Sequence, residues 1–138
     1  MQKIMFLGLR IAMSFIFLWA FFDKTFGLGF ATTSEKAWIN GGSPTTGFLL
    51  GAVKGPFAEI FRSLAGVAVV DWLFMLGLLF IGLTLLFNRY VFWGALAGVV
   101  MMLLMWLALL FPENNPIVDD HIVYALVLAI FAIKSKNQ

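Results

Sequence analysis

Cysteine is absent from this chain, and histidine occurs once in its 138 residues. Without sulfur ligands and nucleophiles, the chain builds no disulfide exchange site, no thiolate catalyst, no Fe–S cluster and no thiolate zinc site. A single histidine also excludes a bis-histidine haem held within one chain. Any redox role therefore needs a bound organic cofactor, a partner subunit or a haem shared between chains. Charge is scarce too. Charged residues make up 12% of the sequence, against about 25% in a soluble domain. The formal net charge of +2 is too slight to point to nucleic acid.

What the chain has in quantity is apolar. Hydrophobic residues are 62% of it, with 16 Phe and 5 Trp, and the mean hydropathy is +1.00. These values place it among integral membrane proteins, as one domain. The first apolar run, Ile4 to Phe22, continues past the length of a signal-peptide core. It ends in Phe21-Phe22-Asp23-Lys24 with no small-residue cleavage site, so it reads as a retained span. Further spans are expected over Val67–Phe87, Val91–Phe111 and Pro116–Ile133. The expected fold is all-α: a four-helix membrane bundle with a long, structured first connection.

Within the first span Arg10, Ser14, Phe17, Phe21 and Lys24 share a face at 100° per residue, which predicts a stripe turned into the bundle. Arg10 lies about 9 Å from the start of that span at 1.5 Å per residue, within snorkelling reach of the surface. In the third span Gly94-Ala95-Leu96-Ala97-Gly98 is a small-xxx-small pattern that lets two backbones approach. Asn88-Arg89-Tyr90 makes the tight turn before it, and Asp71 reads as a cap or interface residue at the second span's entry.

The connection from Thr25 to Val70 carries several punctuation signals. Thr32-x-x-Glu35 is a capping-box pattern, opening a short helix through Trp38 that Gly41-Gly42 ends. Ser43-Pro44 and Gly55-Pro56 repeat the start signal. Phe57, Ile60, Phe61 and Leu64 then fall on one face of a short amphipathic helix stopped by Gly66. Such a helix lies flat among headgroups or forms a lid over the bundle mouth.

The stretch PENNPIVDDHIVY, Pro112 to Tyr124, holds three of the seven acids and the lone histidine between two apolar runs. Asn115-Pro116 fits a helix start, with Asn as cap and Pro at the first helical position. A start at Asp119 leaves an apolar run before Lys134 below the roughly 17 residues of a span, so the earlier start is preferred. His121 and Tyr124 then share a face, and Asp120 is four residues from Tyr124. Together with Asp119 these groups suit proton transfer at a helix end, or simple anchoring at the membrane interface.

Four spans fix the sides. Lys3, Arg10, Arg89, Lys134 and Lys136 fall on one side with no acid, and all seven acids fall on the other with four bases. The short hairpins put both termini in the cytoplasm by the positive-inside rule. Depth along the helices predicts a charge cluster of Asp23, Lys24, Asp119, Asp120 and His121, with Trp38 and Asn40 closing over it. Arg10 belongs to the opposite surface and is not expected to pair with His121.

FATTSEKAWINGGSPTTGFL (Phe30 to Leu49) and PENNPIVDDHIVYALVL (Pro112 to Leu128), with four spans and no cysteine, resemble the DoxX/DoxD family of small membrane proteins. The resemblance covers nearly the whole chain. It implies a four-helix subunit of the plasma membrane linked to thiosulfate oxidation and quinone reduction. On that footing, an outer-face pocket binds quinone with its tail against the aromatic-rich first span. His121 and Asp120 are the candidate catalytic groups. Asp23, Lys24, Trp38, Asn40, Asp119, Tyr124 and Arg10 are candidate binding residues. Lys24, Lys36 and Lys54 offer cations to thiosulfate. No metal or Fe–S centre is expected from this chain alone, and the partners are the lipid bilayer and a second subunit or second copy. The other reading is a non-catalytic subunit that anchors or assembles a partner redox enzyme.

Overall fold

A computed structural model describes residues 1–137. They form α1 (Gln2–Phe26), α2 (Thr46–Gly51), α3 (Ala58–Arg62), α4 (Ala68–Phe87), α5 (Val91–Ala108) and α6 (Asp120–Lys136). Two 3-10 turns, Ser34–Lys36 and Trp38–Asn40, lie between α1 and α2. The described residues include no strand. Three helices, α1, α4 and α5, are long and apolar enough to cross a membrane.

The burial pattern explains why these helices are apolar all round. In α4, Met75, Leu78, Ile81 and Leu85 are buried, while Leu73, Leu76, Phe80 and Leu83 on other faces are exposed. An aqueous surface rarely carries so continuous an apolar flank, but lipid accepts it. The core runs between Met13 and Phe17 of α1, the buried α4 residues, Ala95 and Met102 of α5, and Leu128 and Phe131 of α6.

Small residues set the helix contacts. Ser14 donates its hydroxyl to the Gly82 carbonyl at 2.8 Å, and a Cβ on Gly82 would meet the Leu18 side chain. Gly94 faces Thr84 of α4, and Gly98 receives Leu128 of α6. The Gly94–Gly98 pattern therefore serves two helix pairs. Asn88 closes α4 in the left-handed conformation at φ 55°, its N–H on the Thr84 carbonyl. Asn tolerates this conformation better than most residues.

Three expectations about helix starts are corrected. Asp119, not Asn115, caps α6: its side chain accepts from the N–H groups of His121 and Ile122. Asn115 instead closes a turn of its own, accepting from Ile117 and Val118 and donating to the Val118 carbonyl. The helix starting at Asp120 keeps 17 residues because it continues through Lys134 to Lys136, where cations suit the negative end of the dipole. Thr32 and Glu35 form no capping box, since the turn there is capped at Thr33 without a side-chain bond. Asp71 does not cap α4, whose N-cap is Val67.

Candidate functional site

A large concavity runs between α4 and α5. Near the Arg89 turn the two helices touch, with Gly94 against Thr84. Toward the opposite end they part, leaving a groove of about 710 Å³ between walls that include Phe74, Trp93, Ala97, Met101 and Met105. At 1.5 Å per residue, Trp93 to Ala108 on one wall spans about 22 Å. Phe48 and Leu49 of α2 and Phe61 of α3 roof the parted end. Leu49, Ala58 and Ala108 form a small second core there, with Phe61 packed on it. Lys24 is the one ionisable residue on the lining, half-buried, its Nζ 6.0 Å from the Phe74 ring centre.

Two buried carboxylates build the wall and roof around this end. Asp23 accepts from the backbone N–H groups of Phe30, Ala31 and Thr32 at 3.2, 2.8 and 3.0 Å. Gly27, at φ 64°, lets the chain leave α1 and fold back onto that carboxylate; a Cβ there would lie 2.6 Å from the Thr33 carbonyl oxygen. Asp71 accepts from the Ser43 hydroxyl at 2.8 Å and from both the N–H and the hydroxyl of Thr45. Ser43 in turn accepts from the N–H of Thr46 and ties the start of α2 to α4, but the helix begins at Thr46 with Thr45 as its cap, two residues after the expected Ser43-Pro44 start. Both carboxylates are satisfied by their own chain, as buried charges must be.

The other candidate residues are distributed differently from the expected cluster. His121 places Nδ1 2.8 Å from Asp119 Oδ2, both half-buried. An ionised carboxylate only accepts, so Nδ1 carries the proton of this bond. Asp120 is exposed, and Tyr124 packs against the main core. Trp38 meets Trp72 edge to face at 4.7 Å, and Asn40 donates to the Ser34 carbonyl at the surface. Asp23 is turned into its loop, Lys24 into the groove and Asp119 onto His121. Among the described residues no hydrogen bond or ion pair joins Asp23 or Lys24 to Asp119, Asp120 or His121, so the five-residue cluster does not form, and Trp38 packs on the main core instead of closing over it. Arg10 lies near the far end of the molecule, lining a crevice with Lys134, 13 residues beyond His121 on α6. Rather than snorkel freely, it donates to the Leu85 carbonyl at 2.6 Å.

Of the nine candidate residues, only Lys24 lines the groove. The groove lies between α4 and α5, and Lys24 is the one residue of α1 on its lining. The sequence did carry a signal for it: Gly77 and Ala97 both line the groove, in the stretches where the helices separate. Hydropathy alone did not distinguish that interface from any other. Comparison with protein-family models, curated proteins and solved structures found no match. The DoxX/DoxD resemblance accordingly rests on the two quoted stretches.

Proposed function

We propose that the chain is a four-span protein of the plasma membrane that holds a quinone between α4 and α5. It would act as the membrane subunit of a quinone-linked oxidoreductase of the DoxX/DoxD kind, fed from thiosulfate through a second subunit. The observation that carries this reading is a long apolar groove with one ammonium group on its lining. Apolar walls suit an isoprenoid tail, and the three donors of Lys24 suit a quinone carbonyl. A bound quinone supplies the electron-accepting chemistry. The protein residues hold the tail, orient the carbonyl and exclude water. His121 and Asp120 do not line the groove, so their expected part in proton transfer has no geometric support.

As a fourth span, α6 covers about 25 Å at 1.5 Å per residue, close to a hydrocarbon core of roughly 30 Å. The exposed Ile117 and Val118 before it extend its apolar reach. Both termini cytoplasmic remains the orientation favoured by the acid-free basic face. Thiol labelling of single cysteines at positions 38, 121 and 134 tests it, with the first two reactive from outside and the third protected.

A short-tailed quinone added to the purified protein should quench Trp93 saturably. Ala97→Phe should remove that binding by filling the groove. Lys24→Met should weaken it about tenfold to a hundredfold, the range for a hydrogen bond to a charged group. Quenching that rises linearly without saturation, or survives both substitutions, would sink the groove as a quinone site. Thiosulfate-dependent quinone reduction by the complex isolated from its native membrane tests the redox partner.

A further inference from the structure

The crevice at the other end of the molecule is independent of the quinone reading. It lies between the start of α1, the α4–α5 turn and the end of α6, with a volume of about 180 Å³. Lys3, Arg10 and Lys134 all line it, together with the polar side chains of Asn88 and Ser135. Arg89 and Lys136 are carried by the same end, and every Asp and Glu of the chain belongs to the opposite one. Three cations thus share one small concavity whose described lining includes no Asp or Glu.

Two of the cations, Arg10 and Lys134, are also held in place. Arg10 is half-buried and fixed through one Nη on the Leu85 carbonyl, leaving its other N–H groups for a ligand. Lys134 has its Nζ 3.5 Å from the Phe6 ring centre, a cation–π contact that keeps the ammonium beside α1 instead of in solvent. Like charges brought together this way repel unless an anion joins them. A guanidinium with free donors and two ammonium groups is a donor set for phosphate oxygens. The place is also suitable, because basic pockets between spans at the cytoplasmic surface take anionic headgroups.

We infer that Lys3, Arg10 and Lys134 form a binding site for a phosphate-bearing anion, supplied by an anionic phospholipid headgroup or by free phosphate. The protein in nanodiscs of phosphatidylglycerol and phosphatidylcholine should retain phosphatidylglycerol preferentially when released for native mass spectrometry. The double variant Lys3→Gln/Lys134→Gln should cut that preference about tenfold or more, each cation near a membrane surface counting separately. The charge-matched control Lys36→Gln/Lys54→Gln, on the other side, should leave it unchanged. Arg10→Gln also removes the partner of the Leu85 carbonyl, so the double lysine variant carries the decision.

Titration of inorganic phosphate into protein in a neutral detergent separates the two sources. Saturable binding that the double variant loses assigns free phosphate. Lipid preference without phosphate binding assigns the headgroup. Wild-type protein that shows neither, or a preference equally strong in the double variant, overturns the site.

Discussion

Helix α5 makes two seams, and they differ. Against α6 it is closed along its length, with Gly98 taking the Leu128 side chain and Ala95 and Ala125 both buried. Against α4 it is closed only at one end, where Gly94 meets Thr84, and then opens into the groove. Both seams are built from small and large apolar residues, so hydrophobicity does not separate them. Position does. A glycine opposite a short side chain brings backbones together, whereas Gly77 stands opposite Met101, whose thioether end reaches within 2.6 Å of where a Cβ would be. A long flexible side chain there props the helices apart and leaves room beside it. On the reading proposed above, the closed seam serves packing and the open one serves binding.

The largest effect should come from breaking the tight Gly94–Thr84 contact of the open seam. A Cβ on Gly94 would lie 1.7 Å from Thr84 Oγ1, so Gly94→Leu forces α4 and α5 apart where they come close. Overpacking of this kind costs about 1–3 kcal/mol and sometimes more, and here it should reach the upper end. Gly8→Ala, with nothing within 4 Å of the added carbon, should stay within about 0.5 kcal/mol. Unfolding midpoints in detergent measure both, and equal midpoints would dissolve the distinction between tight and open contacts.

Next in size is the roof of the open seam. Asp71→Ala removes the acceptor that gathers Ser43 and Thr45 onto α4. A buried donor left without its acceptor costs about 1–3 kcal/mol. The loss should appear as faster amide exchange in residues 43–49, together with weaker quinone binding, while α5 and α6 keep their protection. Uniform loss of protection across all helices would show that Asp71 supports the whole fold and not the roof alone.

How much of this was legible in the sequence depends on the length of each signal. Long apolar runs located α1, α4 and α5, and the Gly94–Gly98 spacing announced close packing. The Ser14 and Phe17 stripe was also readable, because helical periodicity selects a buried face whatever the partner. What failed was local chemistry with two valid outcomes. Asn115-Pro116 and Asp119 both satisfy the pattern for a helix start, and only the turn that Asn115 makes with Val118 decides between them. Asp23 was expected in a charge cluster and Asp71 as a cap or interface residue because their actual partners are backbone N–H groups and hydroxyls up to 28 residues away. Gly77 and Ala97 marked the groove's walls, but its size depends on how two helices pack, a quantity that no single-helix pattern encodes.

The closed seam yields a smaller prediction. Asp119→Ala removes the cap of α6, which accepts from two N–H groups and from the His121 ring. Caps of this kind are worth about 1 kcal/mol. The change should lower the midpoint modestly and fray only the first turn of α6, since Ala125 and Leu128 remain buried against α5. A fall as large as that of Gly94→Leu would mean that the start of α6 carries the bundle.

The smallest effect belongs to the most visible contact. Lys54 and Glu113 form an ion pair at 3.7 Å across the loops that border the groove, and their side chains are 40% and 89% exposed. Exposed pairs gain little Coulomb energy in water and lose side-chain freedom, so their net worth is about 0–1 kcal/mol. The same loop is held more firmly by its backbone: Lys54 donates its N–H to the Ala108 carbonyl at 3.0 Å. Beside it Gly55, at φ 84°, lies so close to the Leu110 carbonyl that a Cβ would be 1.6 Å from the oxygen. Lys54→Gln keeps that backbone bond and should shift stability by no more than about 0.5 kcal/mol, less still in high salt. Gly55→Ala combines a forced left-handed conformation with a clash and should cost several times as much. Reversal of that order would place the hold on the groove's roof in the charges and not in the backbone.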